Sequence, residues 1–199
     1  KGLAYVCGHA FNSQLGLGSQ SAMMEPVLVD HLQHRRIVFG ACGSRHSILI
    51  DSKGVMYSAG YGYYGQLGHG DHCDQIFFKR IETEWRVRQL SVREHVNIAI
   101  SDDYSIYVWG GHDMSVENNE CSPFSLPVFV CRNICGRRVQ QVAASSKHFM
   151  CRTSDGSLYG FGFHFQNLGY SRYVKKMVLG GSSKNASRPV QAEQDIMDM

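Results

Sequence analysis

Short apolar runs of β-branched and aromatic residues recur along the whole chain, separated by polar, glycine-containing turns. Runs of this length bounded by Gly, Asp and Ser predict strands, and they exclude an all-helical solenoid. One run is especially regular. Tyr stands three places before Gly in Ala4-Tyr5-Val6-Cys7-Gly8, Met56-Tyr57-Ser58-Ala59-Gly60, Ile106-Tyr107-Val108-Trp109-Gly110 and Leu158-Tyr159-Gly160-Phe161-Gly162. The four tyrosines are 52, 50 and 52 residues apart, a period that defines a repeat architecture.

A second marker keeps nearly the same phase. His46, His95 and His148 precede the closing Gly60, Gly110 and Gly162 by 14, 15 and 14 residues. Each is followed by a β-type run, then by a polar turn: Asp51-Ser52-Lys53-Gly54, Ser101-Asp102-Asp103-Tyr104 or Ser154-Asp155-Gly156. The Tyr-Gly run comes next, so each pair of runs reads as a hairpin. Two further runs lie upstream of each His, for example Pro26-Val27-Leu28-Val29 and Ile37-Val38-Phe39. Four short strands per period match a propeller blade. The expected blades are 26–60, 77–110 and 126–162, with 1–8 closing a preceding blade and 189–199 opening a further one. Residues one and three places before each Gly share a strand face, so Cys7 with Tyr5, Ala59 with Tyr57, Trp109 with Tyr107 and Phe161 with Tyr159 should pack on a neighbouring blade. The recurrent His is expected to be a buried imidazole hydrogen-bonded between blades, neither catalytic nor a metal ligand.

Gln14-Leu15-Gly16-Leu17-Gly18 and Gln66-Leu67-Gly68-His69-Gly70 follow the first two Tyr-Gly runs, with a weaker Asn167-Leu168-Gly169 after the fourth. Together with Gly43-Ser44-Arg45-His46-Ser47-Ile48-Leu49, this pattern resembles the repeat of the regulator of chromosome condensation family. The third unit departs from it, since 113–120 contains no Gln-Leu-Gly. The resemblance implies an all-β fold, a β-propeller of four-stranded antiparallel blades in a seven-bladed ring. The chain would hold about three complete blades plus flanking strands. Such an arc leaves exposed sheet edges, so the ring is expected to be completed by sequence outside 1–199 or by another chain. A chain opening on Lys1 rather than Met fits a piece of something longer. Other propeller classes fit less well: there is no Trp-Asp dipeptide, and Gly110-Gly111 and Gly180-Gly181 do not recur at the period, as kelch repeats require.

Charge adds little, because a net +3 does not by itself argue for nucleic acid. No apolar run approaches the roughly 20 residues of a membrane-spanning helix. Seven Cys is an odd number, and Cys7, Cys42 and Cys151 sit in apolar runs as small hydrophobes, which points to a reducing interior, cytoplasmic or nuclear.

Candidate chemistry lies in the loops after the Tyr-Gly strands, where aromatics are dense. Phe11, Tyr61, Tyr63, Tyr64, His112, Asp113, Phe163 and Phe165 are the expected partner-binding residues. The last such loop is longer than its counterparts, and a basic inserted loop over 170–188 contributes Arg172, Lys175 and Lys176 to the same list. The reading is a protein-protein interaction scaffold with no cofactor and no catalytic residues. No Ser-His-Asp order, phosphate loop or paired-carboxylate motif stands out. His69, Asp71, His72, Cys73 and Asp74 could each ligate a metal, but no second pair with zinc spacing answers them; Cys131 and Cys135 are a weak match.

The resemblance also implies two alternatives. One is a guanine-nucleotide exchange factor for a Ran-like small GTPase, with Asp113, Glu117 and Glu120 as its acidic candidates and the basic insertion placed to pry nucleotide loose. The other is a chromatin-associated module using Arg35, Arg36, Arg45, Arg137 and Arg138, provided these share a face. The family's ultraviolet-B photoreceptor uses Trp where Ser44 stands here, and with only Trp85 and Trp109 in the chain light sensing is disfavoured.

Overall fold

A computed structural model describes residues 2–111, 125–145, 148–162 and 175–177. Among these residues the regular structure is antiparallel β, with one 3-10 turn at Asp30–Leu32. A two-stranded sheet pairs β1 (Tyr5–Gly8) with β2 (Met23–Leu28). The first full blade runs β3 (Ile37–Cys42), β4 (His46–Asp51), β5 (Met56–Gly60), β6 (Gln75–Arg80). The second runs β7 (Val87–Arg93), β8 (Val96–Ser101), β9 (Ile106–Gly110), β10 (Val128–Cys131). The third begins with the two-residue β11 (Asn133–Ile134) and continues through β12 (Arg137–Ala144), β13 (His148–Thr153), β14 (Leu158–Gly162) and β15 (Lys175–Met177). This is the expected all-β partial propeller.

The sheets group the strands one place later than the boundaries 26–60, 77–110 and 126–162 expected from sequence. β2 pairs with β1, in register Tyr5↔Leu28, and not with β3. Likewise β6 closes the blade of β5, and β10 that of β9. The cause is the long loop after each Tyr-Gly strand, which separates in sequence two strands that are neighbours in the ladder. The same shift corrects the inserted loop: Lys175 and Lys176 lie in β15, pairing with Gly160 and Tyr159 as the last strand of the third blade. The rest of 170–188, and 189–199, lie outside the described residues.

The first and second blades bury both faces against neighbouring sheets, which explains the nearly unbroken burial of β4, β5 and β8. Leu49, Tyr57 and Ala59 of the first blade pack with Ala4, Val6, Val29 and Leu32. Ile48, Ile50 and Met56, on its other face, meet Leu90, Ala99 and Trp109 of the second blade. Ile98, Ile100, Ile106 and Val108 then meet Val139, Val142, Phe149, Cys151 and Tyr159 of the third. Tyr57 and Ala59 thus share one packing face as expected, while the side chain of Phe161 lies outside the described residues. On β1 that face is bare: Tyr5 is 58% exposed where Tyr57 is 5% exposed. Cys7 is exposed for the same reason, and Cys42 is exposed at the end of an inner strand, so neither is the core residue expected from its apolar run; Cys151 is, and burial pushes its thiol up to about 12.

The first strands of the blades lie side by side at the inner edge. There the Gln89 amide clips β12, its Nε2 donating to Val142 O (3.1 Å) and its Oε1 accepting from Val142 N (3.2 Å). The closing glycines serve close approach: Gly110 has φ +76°, and a Cβ on it would lie 2.8 Å from Gln66 Cα and overlap the His95 carbonyl.

Candidate functional site

Two ends of the arc follow from the topology. At one, which we term the loop end, are the turns joining β3 to β4 and β7 to β8 and the long loops leaving β1, β5 and β9. The opposite turn end carries the tight Asp-containing turns joining β4 to β5, β8 to β9 and β13 to β14.

The loop end is built on the Gln-Leu-Gly segment. Gln66 is fully buried. Its Oε1 accepts from Tyr64 N at 2.8 Å and shapes the turn that carries the tyrosines; Gln14 does the same for Asn12 N at 2.9 Å. Gln66 O accepts from Asn97 Nδ2 (2.9 Å) and from the Trp109 indole (3.2 Å), which ties the loop of the first blade to the second. Asn97 Nδ2 also reaches Trp109 O at 3.4 Å, so the amide is oriented and its Oδ1 accepts from His46 Nε2 at 2.8 Å. This is the interblade imidazole expected from the repeat, held neutral because burial depresses its pKa to about 4.

The repeat of that role does not hold. The residue opposite the closing glycine is His46 in the first blade, Val96 in the second and His148 in the third. His95 falls one place earlier, in the turn before β8, where it is half-buried with its ring 4.6 Å from Tyr64; His148 is exposed.

On this frame sits an aromatic cluster. Tyr61 and Tyr63 stack at 6.1 Å, Tyr64 meets Tyr61 edge-on at 5.8 Å and Tyr63 at 5.2 Å, and the Arg45 guanidinium lies 5.6 Å from the Tyr61 centroid. Asp74 Oδ1 accepts from Gly62 N at 2.8 Å and His72 Nδ1 meets Tyr63 O at 2.9 Å, which fixes the loop. Burial, with Tyr64 and Asp74 nearby, raises the Tyr61 pKa, so the phenol stays protonated. Tyr63 is 39% exposed. Phe11, 71% exposed and 5.5 Å from His9, stands on the equivalent loop of the preceding sheet. Of the expected partner-binding residues, Tyr61, Tyr63 and Tyr64 are brought together and Phe11 is placed at the same end. His112, Asp113, Phe163, Phe165 and Arg172 lie outside the described residues. Sequence reasoning missed Arg45 and His95 as members of the patch; their common position, one residue before β4 and β8, is the signal that would have found them.

The regulator of chromosome condensation (RCC1) repeat family matches residues 1–50. A Dictyostelium discoideum bifunctional serine/threonine-protein kinase/NEDD4-like E3 ubiquitin-protein ligase is 30% identical over 85% of this chain and 10% of its own length. The dog X-linked retinitis pigmentosa GTPase regulator is 32% identical over 62% of this chain and 13% of its own. The crystal structure of human WBSCR16 superimposes with a TM-score of 0.75 at 18% identity, covering 93% of this chain and 50% of that one. The chain belongs to the RCC1-like repeat family. It spans 10% and 13% of the lengths of the two relatives.

Within this RCC1-like segment the remaining candidates are used locally. His69 Nε2–H donates to Ser58 Oγ (3.0 Å), whose own proton goes to Leu67 O (2.7 Å); burial and then Lys79 depress the His69 pKa to about 4. Asp71 accepts from Cys73 N. With Asp74 and His72 also committed to backbone, no three metal-capable side chains converge among the described residues. The five arginines of the chromatin reading do not share a face: Arg35 and Arg36 precede β3 and Arg137 and Arg138 open β12, at the turn end, while Arg45 follows β3 at the loop end. Among the described residues no helix is long and apolar enough to cross a membrane.

Proposed function

We propose that this RCC1-like segment is a protein-interaction scaffold whose loop end contacts a protein partner through Tyr61, Tyr63, Tyr64 and Arg45, with Phe11 at the flank. The single observation that carries the reading is the cluster of three mutually touching tyrosines with a guanidinium, set on a buried hydrogen-bonded frame that spans two blades. Tyr and Arg dominate interface hot spots because they contribute large rigid area with polar handles. Phe163, Phe165, His112, Asp113, Arg172, Lys175 and Lys176 extend the proposed surface. The bare Tyr5 and Cys7 face supports completion of the ring by sequence outside 1–199 or by another chain.

The test compares protein partners recovered by proximity labelling with full-length wild type and with Tyr61→Ala/Tyr63→Ala/Arg45→Ala. The reading expects specific partners to be lost while the melting temperature changes little; an unaltered partner set refutes it. A GTPase-directed role has the name of the dog relative in its favour. It is tested by nucleotide release from a panel of small GTPases, where unchanged rates exclude exchange activity.

A further inference from the structure

The turn end carries a second surface. In the first and third blades the residue of positive φ in the tight turn is Gly54 (φ +74°) and Gly156 (φ +81°); in the second it is Tyr104, at φ +69°. An L side chain there costs about 1–2 kcal/mol, and the fold does not require it, since glycine serves the other two turns. At the first seam a Cβ on Gly54 would lie 2.9 Å from Arg86 Cβ of the second blade, so the turn passes close beside that arginine. At the second seam the Tyr104 ring takes up two: Arg138 of the third blade at 5.2 Å and Arg88 of its own blade at 4.8 Å. Arg88 is the bulged residue between the pairs Val87↔Ser101 and Gln89↔Ile100, and a bulge re-aims a side chain. The two guanidinium carbons are therefore within about 10 Å of each other on one aromatic platform, a cation–π arrangement that orients them and leaves their N–H edges available.

Nearby carboxylates do not neutralise them. Asp103 pairs with Arg132, and Asp155 with Arg137. Among the described residues Arg88 and Arg138 have no ion pair, and both are exposed. The motif also extends along the arc. Arg36 and Arg86 stand immediately before the inner strands β3 and β7 and Arg138 is the second residue of β12, and the carbonyl of each accepts from the neighbouring turn, from Ser52 N (2.8 Å), Asp102 N (2.8 Å) and Ser154 N (2.9 Å). Repetition of one backbone geometry sets these arginines at the blade spacing, in a row near the inner edge.

We propose that this row, with Arg88–Tyr104–Arg138 as its anchor, docks an acidic segment of a protein partner, whose carboxylates pair with the arginines. An Asp/Glu-bearing peptide fits better than a nucleic acid. Glu84, Asp102, Asp103 and Asp155 lie at the same end, so positive potential is confined to a strip; a duplex broad enough to cover the face would set phosphates against those carboxylates. The surface is at the opposite end from the tyrosine cluster and does not depend on it.

The test is fluorescence anisotropy of the full-length polypeptide with a labelled Glu-rich peptide, beside a duplex oligonucleotide of equal formal charge. Arg88→Gln/Arg138→Gln is expected to weaken peptide binding about tenfold or more, the loss of charge-assisted contacts worth roughly 1.4 kcal/mol or above. Tyr104→Gly keeps both cations but removes their platform; it should weaken the peptide by a smaller factor while the melting temperature holds or rises. That second variant decides the matter if the double variant fails to fold. Absence of peptide binding to wild type, peptide affinity unmoved by Tyr104→Gly, or tighter binding of the duplex through the same arginines each overturns the proposal.

Discussion

The His46–Asn97 hydrogen bond makes a quantitative prediction about acid. His46 is fully buried, and burial brings its pKa from 6.5 to about 4, with Asn97 and the Glu94 backbone opposing part of that shift and His95 adding to it. The unfolded chain binds a proton near pH 6.5, the folded one only near pH 4. Stability from this group is therefore complete above pH 6.5 and is lost as pH falls toward 4. One proton taken up on unfolding gives a slope of about 1.4 kcal/mol per pH unit, so lowering pH from 7.5 to 5 should cost about 2 kcal/mol. His69 has the same sign and adds less, because solvent reaches its ring. Urea unfolding at several pH values, followed by the fluorescence of Trp109 at the seam, measures the slope. His46→Gln should lower stability at pH 7.5 yet flatten the dependence between pH 6.5 and 5. If His46→Gln keeps the wild-type slope, or the wild type shows none, the account of a neutral buried imidazole is wrong.

Four further substitutions extend the test. Asn97→Ala strands the buried His46 Nε2–H, while Gln66 O keeps the Trp109 indole, and should cost about 1–3 kcal/mol for the one buried donor left unmatched, read as a fall in the urea midpoint. Trp109→Ala removes the largest fully buried side chain, and should cost about 3–5 kcal/mol in the same assay. Gly110→Ala meets backbone on two sides, whereas Gly156→Ala, at a similar φ, has open space around its Cβ; thermal melts should show severe loss for the first and about 1 kcal/mol for the second.

The Tyr-Gly strands and the Gln-Leu-Gly loops were legible in the sequence because each serves the blade interior, where packing permits few residues. Blade membership was not. The chain from β5 to β6 is longer than that from β6 to β7, so closeness in sequence favours the wrong partner; the ladder is fixed instead by which strand edge is left unpaired. His95 shows the limit of a spacing argument: a slip of one residue moves a side chain from the strand face into the turn. The tyrosine patch was partly legible, since aromatics in loops announce themselves, but Arg45 joins it only through the fold. The Arg88–Tyr104–Arg138 platform had no linear signature, because its members come from a bulge, a turn and the next blade.

The seam at His46 has a bearing on how such a ring assembles. Successive modules are alike enough to be mistaken for one another during folding. At equivalent places the first seam matches an imidazole with an amide, His46 with Asn97, and the second matches two hydrocarbons, Val96 with Phe149, members of one apolar cluster. Exchanging the second and third modules would press the imidazole against a phenyl ring and strand its proton, a cost of about 1–3 kcal/mol. A single polar match thus gives neighbouring repeats an address, and discourages the mis-stacking to which tandem arrays are prone.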